Sequence, residues 1–520
     1  MMKNRILSAV VCLSVFSVSA VAQTQYETAR LTGTELNGTA RYVGMGGAMG
    51  ALGADISTIG TNPAGIGLYR SNEISTSFSF NNFKADSPSH DNSTSRMSYD
   101  QLGFVYSYKV GNETDLRYVN FAFNYHKSKN FGKDFAMSGN LRNGLSQTQQ
   151  MANMVGHLSV GEIDNIYNYG YVNGLPNPYD IYDYPYLGVM GIRTELVGVD
   201  SQNRPIGWLG VQNGYVSKER GGIESYDFNL AFNVKDRMYF GVTMGVNSVN
   251  YGRDSYYTED IVDGDHSGYY ELENYYRLSG VGVDLKLGAI FRPIEDSPLR
   301  LGVAVHTPMW YELTEKYTSL IRSEIDYDGG DEHFKAVENV EEYVKGVNLR
   351  DYRMITPWRF NLSAGTTFIN NIALGVEYEY QDYGAAKMKY DDGSNIVGQN
   401  RNVKEDLQGV HTLRIGAEAR LAPSLSVRVG YNYASAAFRK GAYKALDYND
   451  MRTDVEYGND FARNTFTAGL GYRSNTFYAD LAYKHDLYKT DFYAFSAEDL
   501  PACKVNNTRH QVLLSLGVRF

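Results

Sequence analysis

The chain has 520 residues, a formal net charge of −10, 44 tyrosines, 52 glycines and only 12 prolines. An acidic balance of this kind offers no electrostatic footprint for nucleic acid or another polyanion. Mean hydropathy is −0.39, and no long apolar stretch follows the first 22 residues, so a helical membrane protein is excluded. A membrane barrel, whose strands alternate between lipid and lumen, is polar on average and fits these figures. The abundant tyrosine suits the two membrane interfaces.

Residues 1–22 have the three-part layout of a secretory signal peptide: Lys3 and Arg5, the apolar run Ile6 to Val18, and the small-x-small site Ala20-Val21-Ala22. The run is too short to span a bilayer as a helix. No cysteine follows the expected cleavage point, which argues against lipoprotein processing, and the mature chain would keep only Cys503. With no intramolecular disulfide possible, an exported chain needs another brace, and a closed hydrogen-bonded barrel supplies one. Loss of Lys3 and Arg5 takes the net charge to about −12.

Residues 23–69 come next and are rich in small residues, from Arg41-Tyr42-Val43-Gly44-Met45-Gly46-Gly47 to Asn62-Pro63-Ala64-Gly65. Such density lets a backbone pack closely on another surface. A phosphate-cradling loop is the enzymatic alternative, but no strand precedes these glycines in a βαβ unit.

From residue 70 onward the chain repeats one pattern, a run of about ten residues with strict alternation followed by a break. Val119, Phe121, Phe123 and Tyr125 share one face of such a run; Met238, Phe240, Val242 and Met244 share another. Strands are predicted to begin near Asn72, Asp100, Arg117, Ile223, Met238, Tyr276, Leu299, Thr356, Ile372, Thr412, Leu425, Asn464, Thr476 and Thr508, fourteen in all. Short turns, such as Gly111 to Asp115 and Val234 to Arg237, alternate with long loops, the asymmetry of bacterial barrels with turns in the periplasm. The longest loop, 129–222, contains a predicted amphipathic helix over Gly144 to Val160, carrying Leu145, Met151, Met154 and Leu158. The last strand alternates Val512, Leu514, Leu516, Val518 and Phe520 with polar residues, and its final aromatic matches the signal read by the barrel-assembly machinery.

Charged residues on the predicted lumen face include Asp284, Lys286, Arg300, His306, Arg359, Glu377, Glu379, Arg414, Glu418, Arg420 and Arg428, read as partners bracing the wall. The nine histidines are scattered. No spacing announces a catalytic group, a metal ligand or a cofactor site.

The small-residue segment, Ala54-Asp55 with Ser57-Thr58 behind it, and Thr61-Asn62-Pro63-Ala64-Gly65 just ahead of the first strand together resemble the N-terminal hatch of the FadL-like outer-membrane transporters of long-chain fatty acids and hydrophobic compounds. Leu301-Gly302-Val303-Ala304 with Thr307-Pro308, Thr356-Pro357-Trp358, and Leu413-Arg414-Ile415-Gly416 through Arg428-Val429-Gly430-Tyr431 extend the likeness over most of the mature chain. The resemblance implies an all-β fold, a monomeric fourteen-stranded antiparallel transmembrane β-barrel in the bacterial outer membrane. Its hatch, residues 23–69, would plug a lumen enclosed by residues 70–520, with Asn62, Pro63, Ala64 and Gly65 as plug elements. It further implies passive uptake of a hydrophobic small molecule, a long-chain fatty acid by default, captured outside and released through a gap in the wall. Contacts with outer-membrane lipid and lipopolysaccharide follow from the location. The substrate-binding residues stay open, because loop 129–222 departs from the family. A barrel that shuttles or receives exported proteins is the alternative reading; a barrel-embedded hydrolase or a haem receptor is less favoured.

Overall fold

The computed structural model describes residues 24–295, 297–330, 332–344, 348–368, 371–444, 446 and 449–520. The expected signal peptide, residues 1–22, lies outside the described residues. Fourteen antiparallel strands close into one barrel. They are β1 (Glu73–Asp86), β2 (Asp91–Lys109), β3 (Leu116–Asn130, resumed at Lys133–Asn140), β4 (Leu209–Val234), β5 (Met238–Asp263) and β6 (His266–Phe291). β7 comprises Arg300–His306 and Trp310–Tyr327, β8 comprises Asn348–Ile355 and Arg359–Phe368, and β9 comprises Ile372–Asp382 and Lys387–Tyr390. The wall continues with β10 (Gly409–Ala422), β11 (Leu425–Ala434), β12 (Tyr457–Asp460 and Arg463–Arg473), β13 (Phe477–Tyr493) and β14 (Cys503–Arg519). β14 returns to β1 in the register Glu73↔Arg519 through Asp86↔Asn506, which closes the ring.

The two-residue rhythm decides which face meets lipid. On β6 the side chains of Val281, Val283, Leu285, Leu287 and Phe291 are exposed, whereas Gly282, Asp284, Lys286 and Ile290 between them are buried. Above this apolar stretch the outer face turns to Arg277, Tyr275 and Glu273, so the hydrocarbon band ends near Ser279. Among the described residues no helix is long and apolar enough to cross a membrane.

Two adjacent strands break where a proline falls, at Thr307-Pro308-Met309 in β7 and Thr356-Pro357-Trp358 in β8. Proline has no N–H for the ladder. The breaks serve each other instead: Thr356 N donates to the Met309 carbonyl at 3.0 Å, and Met309 N donates to Thr356 Oγ1 at 2.8 Å.

The predicted strand count holds, and its upper boundaries are corrected. β4, β5 and β6 each run for 26 residues, so β4 starts at Leu209 rather than near Ile223 and β6 at His266 rather than near Tyr276. Their upper halves stand above the membrane as a second, aqueous storey. The predicted helix over Gly144 to Val160 is the shorter α3 (Gln147–Met154), and a separate helix, α4 (Val160–Asn168), begins where the prediction ends; the N-terminal α1 (Gln25–Thr32) and α2 (Ala40–Gly44) precede them. Ser159 starts α4 with a capping box to Glu162. Together with α5 (Tyr186–Arg193), these helices cap the barrel, and Met151, Leu187, Met190 and Ile192 pack against Tyr257, Tyr270 and Ile321 of the wall.

Candidate functional site

Residues 24–69 pack against inward-facing side chains of the strands. Thr24 opens α1 with a capping box to Glu27, and Thr39 caps α2. Glycines and one alanine then carry the chain through left-handed turns at Gly46, Gly47, Gly53 and Ala54. Asp55 caps a 3-10 turn at Ile56–Gly60 and Asn62 caps another at Pro63–Leu68, with Pro63 at the first position where its missing N–H costs nothing.

The wall that receives this segment is made of glycine. Gly365, Gly375, Gly416 and Gly430 face one another in direct register across β8, β9, β10 and β11. A Cβ on Gly375 would stand 2.0 Å from the Ala48 carbonyl oxygen, one on Gly416 2.2 Å from that of Met45, and one on Gly430 2.2 Å from Gly46 N. Further round, a Cβ on Gly302 would strike the Asn62 side chain, one on Gly288 both Asn62 and Pro63, and one on Gly241 the Pro63 carbonyl. The segment therefore lies backbone to backbone on a girdle that only glycine permits.

The four residues singled out in sequence sit at one end of that girdle. Asn62 is fully buried and its amide donates to the Ala289 carbonyl at 3.3 Å. Its Oδ1 accepts from Ala64 N at 3.1 Å. The Pro63 carbonyl accepts from Asn229 Nδ2 at 3.4 Å, and Ala64 packs with Tyr239 and Ile290. The Gly65 carbonyl accepts from Ala54 N at 3.1 Å.

Charges on the lumen face brace the wall as expected: Arg414 reaches Glu377 at 2.6 Å and Glu379 at 3.3 Å, and Arg428 reaches Glu418 at 2.6 Å. They also hold the inner segment. Arg300 donates to the Leu52 carbonyl at 2.8 Å, His306 to that of Thr61 at 2.9 Å and Arg359 to that of Gly60 at 3.4 Å. Glu377 accepts from Gly50 N at 2.9 Å, and Glu418 pairs with Arg41 at 3.0 Å.

Sequence reasoning missed the upper half of the site. The connection from β11 to β12 folds into the lumen, with Asp450, Arg452, Thr453 and Asp454 fully buried. It clasps α1 from above: Arg452 reaches Glu27 at 3.1 Å and Asp454 Oδ1 at 2.7 Å, while Gln25 Nε2 donates to the Tyr443 carbonyl at 2.8 Å. Burial alone would raise the Glu27 carboxyl, but Arg452 and Arg30 pull it down to about 2. Glu35 is likewise pushed up by burial and drawn down to about 2 by Arg509 and Arg463. Arg509 is 2.7 Å away.

Two spaces flank the inner segment. The lower, of about 160 Å³, is lined by residues 31–37 with Tyr311, His306 and Arg359; the upper, of about 330 Å³, meets α1, Phe131, Lys129 and Tyr215. Glu35, Thr34, Arg463 and Asp486 line both. Each mixes aromatic faces with charge, so the interior is amphipathic rather than purely apolar.

Beside these spaces the wall has a seam. β2 and β3 pair only from Gln101↔His126 down to Lys109↔Tyr118, although β2 continues up to Asp91 alongside β1. The freed stretch of β3 bonds to the inner segment instead: Glu35 N donates to the Ser128 carbonyl at 3.0 Å and Asn130 N to Glu35 Oε2 at 3.3 Å. Asn37 Nδ2 bridges the two strands, donating at 2.9 Å to both Asp100 Oδ1 and the Lys127 carbonyl. Higher up, Asn92 Nδ2 donates to the Ala136 carbonyl at 3.2 Å and bounds the seam.

The fold resembles that of FadL homologues. One from Pseudomonas aeruginosa is 12% identical, with a TM-score of 0.49 over 94% of this chain and 99% of that one. The Pseudomonas putida toluene transporter TodX is 11% identical, with a TM-score of 0.47 over 94% and 100% of the two chains. The CymD monoaromatic hydrocarbon channel is 9% identical, with a TM-score of 0.47 over 94% and 99%. No protein-family model matches the chain, and no curated protein is significantly similar to it.

Proposed function

We propose that this protein is an outer-membrane channel for passive uptake of hydrophobic small molecules, with a long-chain fatty acid as substrate and residues 24–69 as the plug. The observation that carries the reading is the seam between β2 and β3, whose free edge is filled by Glu35 and Asn37 of the inner segment. A fully laddered barrel blocked by a plug offers a ligand no way into the bilayer. Here Glu35, which lines both inner spaces, also closes the gap together with Asn37 of the lower space, so a shift of residues 33–37 would join the spaces to the lipid. Aromatic faces would carry a hydrocarbon tail, and the cationic Lys129, Arg463 and Arg509 would meet a carboxylate head. The barrel would act as a monomer among outer-membrane lipid and lipopolysaccharide, with Phe520 presented to the assembly machinery.

The test is uptake of labelled oleate by cells carrying or lacking the protein. Faster uptake in the carrying cells is expected; equal uptake removes the fatty-acid assignment.

A further inference from the structure

The cap carries a cleft of about 400 Å³ that belongs to neither inner space. It lies between α4, the small hairpin of Val197–Val199 and Pro205–Gly207, and the upper ends of β5 and β7. Its floor is apolar, made by Ile163, Ile192 and Val197, each under 5% exposed. Its walls are the rings of Tyr167, Trp208 and Tyr327, of which the last two stand 6.2 Å apart at 51°.

All three rings have turned their polar tips to one residue. The Tyr167 hydroxyl donates to Glu195 Oε1 and the Tyr327 hydroxyl to Oε2, both at 2.6 Å, and Trp208 Nε1 donates to the Glu195 carbonyl at 2.9 Å. Each of these donors is thus occupied, and what the walls leave for a guest is aromatic surface. Two exposed carboxylates, Asp164 and Asp263, complete the lining, and no Lys, Arg or His is among the described residues that form it.

Such a lining selects by exclusion. A carboxylate or phosphate would meet negative charge with no cationic side chain to offset it, and a sugar could donate to the carboxylates but would find no free side-chain donor among the rings for its oxygens. Among the described residues no group of His, Cys, Asp or Glu is placed to hold a bare metal ion. A cation whose charge is spread over C–H groups suits every surface present, because ring faces attract it, the carboxylates add long-range attraction, and the apolar floor takes its alkyl shell.

We propose that this cleft is a binding site for a small alkylated ammonium ion. The site is separate from the uptake path: it faces the exterior and would repel a fatty-acid carboxylate.

The test is titration of the purified full-length barrel in mild detergent with choline and with its uncharged isostere 3,3-dimethylbutan-1-ol, read by ligand-observed NMR and by tryptophan fluorescence. Choline is expected to bind at least roughly tenfold more tightly than the isostere. The double variant Asp164→Asn/Asp263→Asn should lose about tenfold in choline affinity and leave the isostere unchanged. Both side chains are exposed, so the barrel should fold as before, and heat-modifiability on a gel checks that. Equal binding of choline and isostere, an unaltered choline affinity in the folded double variant, or no saturation by about 100 mM choline would overturn the assignment.

Discussion

The girdle makes a quantitative demand on the inner segment, which replacing Gly375 and Gly416 by alanine would expose. The new methyl groups would stand 2.0 Å and 2.2 Å from the carbonyl oxygens of Ala48 and Met45, so each contact needs roughly 1 Å of relief. The wall is the stiffer side, since Gly375 and Gly416 are paired to each other and to Gly365 and Gly430 by continuous ladders. The segment must therefore yield. Overpacking of this kind costs about 1–3 kcal/mol per site, a factor of roughly five to 150 in the ratio of lifted to seated segment. The reporter is Ala51→Cys, whose site is 1% exposed, in a Cys503→Ser background, labelled with a maleimide that does not cross membranes. Labelling at least tenfold faster in the double alanine variant is expected. Gly139→Ala serves as control, because a Cβ there would meet nothing within 4 Å. If the double variant labels at about the parental rate while running as a folded barrel, the seating argument fails.

Two further outcomes follow from the same contacts. Glu27 and Glu35 are both held near 2 against an ordinary value of 4.5, and a depressed carboxylate stabilises above its undocked value and loses that contribution as pH falls through its docked one. Each should contribute roughly 3 kcal/mol to docking at pH 7. Labelling of Ala51→Cys, followed with an acid-tolerant thiol reagent, should stay flat down to about pH 4.5 and climb between there and pH 2. A climb centred above pH 5 would contradict the assignment. At the seam, Asn37→Ala removes the bridge between Asp100 and Lys127, and oleate uptake should rise with the barrel intact; unchanged or reduced uptake would show that Asn37 does not hold the gap shut.

How far the sequence reached depends on what each residue faces. Within the hydrocarbon band one side of every strand must be apolar, so all fourteen strands were legible from alternation alone. Above it, β4 from Leu209 to Gly222 and β6 from His266 to Tyr275 have water outside and mixed packing inside, Tyr215, Tyr270 and Leu272 beside Asn213 and Asn274, and the contrast between faces fades. Asn62-Pro63 stands out in the sequence through its resemblance to a hatch, and not as the cap and first-turn proline that it forms, although both of those signals are local. Ser159 and Glu162 give an equally local sign that a second helix begins at Val160, and the apolar spacing of Met151, Met154 and Leu158, which runs up to that point, hides it. The girdle is present in the sequence as seven glycines on seven strands, but Gly375, Gly416 and Gly430 acquire meaning only once the register sets them side by side. The clasp of Arg452 on Glu27, 425 positions away, left no local trace at all.

The 26-residue strands have a consequence for what the cell surface sees. At a rise of about 3.4 Å per residue and a tilt near 40°, such a strand climbs roughly 65 Å, of which an apolar band takes about 25 Å. Roughly 40 Å of wall therefore stands clear of the lipid. Anything approaching from that side would meet the helical cap, and its folded loops rather than the bilayer would set what can dock there.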